Sequence, residues 1–80
     1  MTNVYQSVVE YIDKYGQSNK EIRITCEPGK RPTIGDFIGA FRQWGLEMEL
    51  SDLTTMTFKP KNPMSTTVIS LRIIRTVQIT

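Results

Sequence analysis

Histidine is absent from this sequence and cysteine occurs once, as Cys26. Without an imidazole, a cysteine or serine nucleophile lacks its commonest general base, and no G-x-S-x-G turn is present to expose a serine. Zinc sites normally draw four ligands from Cys, His and carboxylate, so this inventory argues against a structural metal, and a lone cysteine closes no internal disulfide. No apolar stretch approaches the roughly 20 residues that a membrane-spanning helix needs. The opening MTNVYQSVVEYIDKYG carries acids and hydroxyls where a secretory leader needs cations and an unbroken apolar run. These absences predict a cytoplasmic chain with no membrane contact, no cofactor, no metal and no catalytic activity.

Acids are missing from one part of the chain. Up to Asp52 there are six basic and eight acidic residues, whereas beyond it stand Lys59, Lys61, Arg72 and Arg75 with no acid. A net charge of +2 is too small to imply nucleic acid by itself, but a basic back behind a mildly acidic front biases what that half can meet. Of the 80 residues, 39% are apolar and 22% charged, which suits one folded domain, 1–80, with the small core typical of such a length. No internal repeat or low-complexity segment interrupts it.

Periodicity predicts a first helix over Val4–Tyr15. Val4, Val8, Ile12 and Tyr15 fall on one stripe, Asn3 and Gln6 stand as in a capping box, and Gly16 is placed as a left-handed stop. In EIRITC, Ile22, Ile24 and Cys26 alternate with polar residues, the pattern of a strand with one face buried. A second helix follows, with Thr33 as cap, Asp36 near the positive helix end, Ile34, Phe37, Ile38, Phe41 and Trp44 at spacings of three and four, and Gly45 closing it. Two interior glycines, Gly35 and Gly39, suggest that something packs closely there. LEMEL and LTTMTFK read as strands joined around Ser51 and Asp52, PKNPMS as a loop, and TTVISLRIIRTVQIT as a long strand with Ile69, Leu71, Ile73, Val77 and Ile79 on one face. The predicted architecture is an α+β two-layer sandwich of order α-β-α-β-β-β, with two helices packed on one face of a mostly antiparallel four-stranded sheet.

Few residues carry chemistry. Glu47 and Glu49 share a strand face without a visible pocket to separate their proton affinities, and they read as solvated partners of Lys59 or Arg72. GKRPTIG is not a phosphate-binding G-x-x-x-x-G-K-[ST] loop. Lys30 and Arg31 nevertheless stand before a helix start, where a positive pole already exists, so they call for an anion: Asp36 from the chain itself, or a phosphate or acidic partner. Lys59, Lys61 and Arg72 could track phosphates, yet no aromatics are interleaved for base stacking. Arg75 interrupts the apolar face of the last strand and must either snorkel to water or meet an acid. Val68 and Ile74 put apolar groups on that strand's polar side, a pairing edge for a second copy or another protein. Tyr11 and Tyr15, one helical turn apart, either cover the core margin or anchor a partner.

The function these readings favour is a small non-catalytic interaction module, of adaptor or inhibitor type, that binds a protein partner and self-associates through its C-terminal strand as a homodimer. The alternative is a nucleic-acid-binding accessory or regulatory protein that uses Lys30, Arg31, Lys59, Lys61, Arg72 and Arg75.

Overall fold

The structure is a computed structural model and describes residues 2–79. Five strands form one antiparallel sheet with a single helix across it: β1 (Asn3–Asp13), β2 (Gly16–Cys26), α1 (Ile34–Arg42), β3 (Met48–Asp52), β4 (Thr57–Pro60) and β5 (Val68–Gln78). A 3-10 turn at Pro63–Ser65 leads into β5. In space the strands run β2-β1-β5-β4-β3. The predicted two helices and four strands are therefore corrected to one helix and five strands, while the α+β character stands.

The error lies in the first element. Val4, Val8 and Ile12 recur every four residues, a spacing close to one helical turn and also equal to two strand repeats. As a strand, β1 buries Tyr5, Ser7 and Val9 under α1 and leaves Val4, Val8 and Ile12 half-buried on the opposite face. Its β-branched and aromatic content favours that outcome. The expected helix stop is a hairpin turn. The Asp13 carboxylate accepts from the backbone N–H groups of Tyr15 (2.9 Å) and Gly16 (3.0 Å), and Gly16 takes φ +151°, open to a residue without Cβ. Register then runs unbroken from Asp13↔Gly16 to Asn3↔Cys26.

The helix around Phe37 forms as its sequence predicts. The Thr33 hydroxyl accepts from the Asp36 N–H at 3.2 Å and the Asp36 carboxylate accepts from the Thr33 N–H at 2.9 Å. Gly45, at φ +76°, ends the turn after α1. Phe37 and Phe41 face the sheet, and Phe41 meets Phe58 edge-on with ring centroids 5.1 Å apart. Trp44 packs on Phe41 and on Tyr11, at 5.8 and 6.3 Å. Val9, Phe41, Met48, Phe58 and Leu71 are wholly excluded from water and make the centre of the core.

β5 departs from simple alternation twice. Against β1 its register shifts between Val8 and Val9 and between Ile12 and Asp13, so Ile74 and Ile69 are extra residues in two bulges. Each bulge shifts the phase of the strand. Val68 and Leu71 are buried, whereas Ile69 is 53% exposed and Val77 41%. The expected apolar face of Ile69, Leu71, Ile73, Val77 and Ile79 is thus split between two faces, and Val68, expected on the outside, belongs to the core. Thr80, the last residue of the predicted strand, lies outside the described residues. The predicted strand over Leu53–Lys59 begins only at Thr57, because Asp52 captures the Thr54 N–H at 2.8 Å and Met56 turns the chain at φ +52°.

Ser7, the buried polar residue of β1, shares a hydrogen bond of 2.7 Å with the Thr76 hydroxyl across the β1–β5 pair, which removes the cost of leaving either group dry and unpaired. The bulges make a direct prediction. Val68→Ala should lower stability by about 2 kcal/mol, from lost burial and the space left behind. Ile69→Ala should change it by less than about 0.5 kcal/mol. Equilibrium urea unfolding of the two variants distinguishes this phase from the unbulged one, in which the order is reversed.

Candidate functional site

Two concavities lie beside α1, one at its N-terminus and one along its length. The first, of about 310 Å³, opens where β2 ends, and its walls include Cys26, Glu27, Lys30, Arg31, Thr33 and Asp36. The paired basic residues singled out in the sequence therefore do sit at the helix start. Lys30 is neutralised locally, its ammonium 3.3 Å from Glu27. In the capping box the Asp36 carboxylate accepts from the Thr33 N–H while the Thr33 hydroxyl accepts from the Asp36 N–H, which sets a second negative charge beside the helix start. Two carboxylates thus share the hollow with two cations, so an incoming anion would face charge of its own sign.

Cys26 lines the same hollow but is buried. Desolvation pushes its thiol pKa up, and the neighbouring Asp36 carboxylate adds to the rise. A neutral, shielded thiol is a poor nucleophile. Among the described residues no group of three or more His, Cys, Asp or Glu is placed to hold a metal.

The remaining candidates scatter. Lys59 lies 3.7 Å from Glu49 on the neighbouring strand, and Arg72 lies 3.0 Å from Glu10 across the β1–β5 pair. With Lys30, three of the six predicted basic contacts are engaged by the chain's own acids. All eight acids are in fact occupied: Glu10, Glu27, Glu47 and Glu49 in ion pairs, Glu21 with the Gln6 amide, Asp13 and Asp52 in turns, and Asp36 in the helix cap. Lys61, Arg31 and Arg75 have no carboxylate within 4 Å among the described residues. Arg75 stands opposite Val8, so the bulge at Ile74 places it on the face away from α1, in water rather than in the apolar row.

The predicted interface residues divide as well. Val68, at 4% exposure, is withdrawn from any surface role. Tyr11 and Tyr15 are not one helical turn apart. Tyr11 is a strand residue held edge-on against Trp44 with the Lys20 ammonium 4.8 Å from its ring centroid, and Tyr15 stands free at the hairpin tip. Ile74 remains about half exposed.

Two surfaces escaped the sequence. One is the sheet face opposite α1, where Val4 and Val8 of β1 adjoin Val77 and Ile79 beside Arg75. The other is the outer edge of β2, adjoining the second concavity, of about 480 Å³, whose walls include Arg23, Ile24, Gly35, Asp36 and Gly39. The apolar spacing of four in β1 was the available signal for the first. No protein-family model, curated protein or solved structure matches the chain. No helix among the described residues is long and apolar enough to cross a membrane.

The Cys26 environment generates a pH prediction. Because the folded thiol pKa lies above its unfolded value, the stabilisation is complete below the ordinary thiol range and declines as pH rises through it. Iodoacetamide labelling of the folded chain at neutral pH should run at least about tenfold slower than that of an unfolded control, since thiolate and access are both suppressed. The alkaline fall in stability should flatten in Cys26→Ala. Rapid labelling of the folded chain at neutral pH would show that the hollow activates the thiol instead.

Proposed function

We propose that this chain is a small cytoplasmic, non-catalytic interaction module that binds another protein, as an adaptor or inhibitor, through the sheet face opposite α1. One observation carries the reading. The helix covers one side of the sheet, while the other bears Val4, Val8, Val77 and Ile79 next to Arg75, a cation with no carboxylate within 4 Å among the described residues. An apolar centre with a free guanidinium at its margin suits a partner surface that offers apolar groups bordered by a carboxylate.

Strand pairing is consistent with the same role. β5 lies between β1 and β4, and β4 pairs with it only near Leu71–Ile73, so the β1 ladder extends further along β5 than the β4 ladder does. The nucleic-acid reading has less support, because Lys30, Lys59 and Arg72 are already ion-paired, which leaves Arg31, Lys61 and Arg75 of the predicted contacts, on three separate segments of the chain.

Affinity capture from the native cell with nuclease-treated lysate tests the reading. A nuclease-resistant protein partner should be retained by the unmodified chain and lost from a variant carrying Arg75→Glu and Val77→Asp, both exposed positions whose substitution should leave thermal unfolding nearly unchanged. Capture that ignores these substitutions, or that vanishes with nuclease, overturns it.

A further inference from the structure

The two edges of the sheet are built differently. β3 is five residues long, carries a register shift between Leu50 and Asp52, and pairs with a strand that ends in a proline. Short length and bulges are two of the means by which an edge is kept from pairing with another chain, and charged side chains are a third. β2 lacks the first two, and its charges are of both signs, Glu21 beside Lys20 and Arg23. It is eleven residues long, contains no proline and holds an unbroken register with β1 from end to end.

Which of its backbone groups point outward follows from the ladder. The Ile79 N–H donates to the Val4 carbonyl at 2.8 Å, so Val4 directs its backbone groups toward β5, and its β1 neighbours of odd number direct theirs toward β2. Their β2 partners are the even-numbered residues. Gln17, Asn19, Glu21, Arg23 and Thr25 therefore present their N–H and C=O groups to the free edge, and their side chains lie on the face away from α1.

We infer that β2 pairs antiparallel with β2 of a second copy of this chain, about a two-fold axis between the two Ile22 residues. Charge selects this register. Glu21 of each copy then lies directly opposite Arg23 of the other, twice by symmetry, and Asn19 opposite Thr25. Moving the centre by one residue sets either Glu21 against Glu21 or Arg23 against Arg23, which opposes like charges at the axis. Parity also holds. Ile22 meets Ile22 on the α1 face, continuing the apolar side of the sheet across the junction.

Space for the added strand is present. Gly35 and Gly39 of α1 border the groove beside Ile24, and a Cβ at Gly39 would meet nothing within 4 Å. In this register Lys20 of the second copy falls opposite Ile24, beside a groove whose wall includes the Asp36 carboxylate. The pairing uses the β2 edge and neither Arg75 nor Val77, so it stands or falls separately from partner binding by the open face.

Charge reversal tests it by sedimentation. The unmodified chain should show a concentration-dependent dimer, and Glu21→Arg and Arg23→Glu should each weaken association by about tenfold or more, because every facing pair becomes like-charged. An equimolar mixture of the two variants should restore the dimer, since each Arg then faces a Glu. In the unmodified chain, which needs no variant to fold, hydrogen exchange at the amides of Asn19, Glu21 and Arg23 should slow as concentration rises. A chain that stays monomeric at millimolar concentration, a dimer that survives both single reversals, or new protection confined to residues 74–78 overturns the proposal.

Discussion

The structure depends on β5 finding its place between two hairpins. Among the described residues the β1–β2 hairpin and the β3–β4 hairpin share no ladder with each other, and the last strand binds both into one sheet. That pairing is entirely long-range in sequence, so loop-closure entropy must be met before its contacts stabilise anything. The two bulges are part of how it fits. They let one strand set Leu71 against the helix side, bury Val68 at its start and still turn Arg75 to water, which an unbroken alternation could not do. The buried Ser7–Thr76 bond sits beyond the first bulge and ties the far end of the strand to β1.

Local chemistry made part of this legible in the sequence. Thr33, Asp36 and Gly45 bracket α1 because their capping groups act within one turn of the helix and need no distant neighbour. Ile22, Ile24 and Cys26 alternate too strictly for any other reading, and they are buried as expected. β1 was misassigned because a spacing of four satisfies two periodicities at once. The deciding signals were the β-branched and aromatic residues filling the gaps, Tyr5, Val8, Val9 and Tyr11, and the Asp13–Gly16 turn. Bulges leave no mark in a sequence of this kind, so the division of β5 between two faces, and with it the burial of Val68, was not legible.

The candidate site was less accessible still. Whether a lysine or arginine is free depends on which strand lies beside it, and strand order is a property of the whole sheet. Lys59 meets Glu49 across one hairpin, a pairing the alternation of the two strands already suggested, whereas Arg72 meets Glu10 only through the β1–β5 register, which no local pattern encodes. These exposed pairs contribute little to stability. Their effect is to use up acids, so the cations left over set the sign of the surface. The contrast between the short, bulged β3 edge and the long, regular β2 edge has the same origin, since nothing near Glu21 or Arg23 announces that β2 will be outermost.

The bond between Ile79 and Val4 has a mechanical consequence. It holds the start of β1 beside the end of β5 at one end of their ladder, with β1 running away from it and β5 toward it. A load drawn through those two residues would reach the hydrogen bonds one after another, as in a zipper opened from its tab, instead of spreading over all of them in shear. A domain strung this way yields to weak traction, however well its centre is filled.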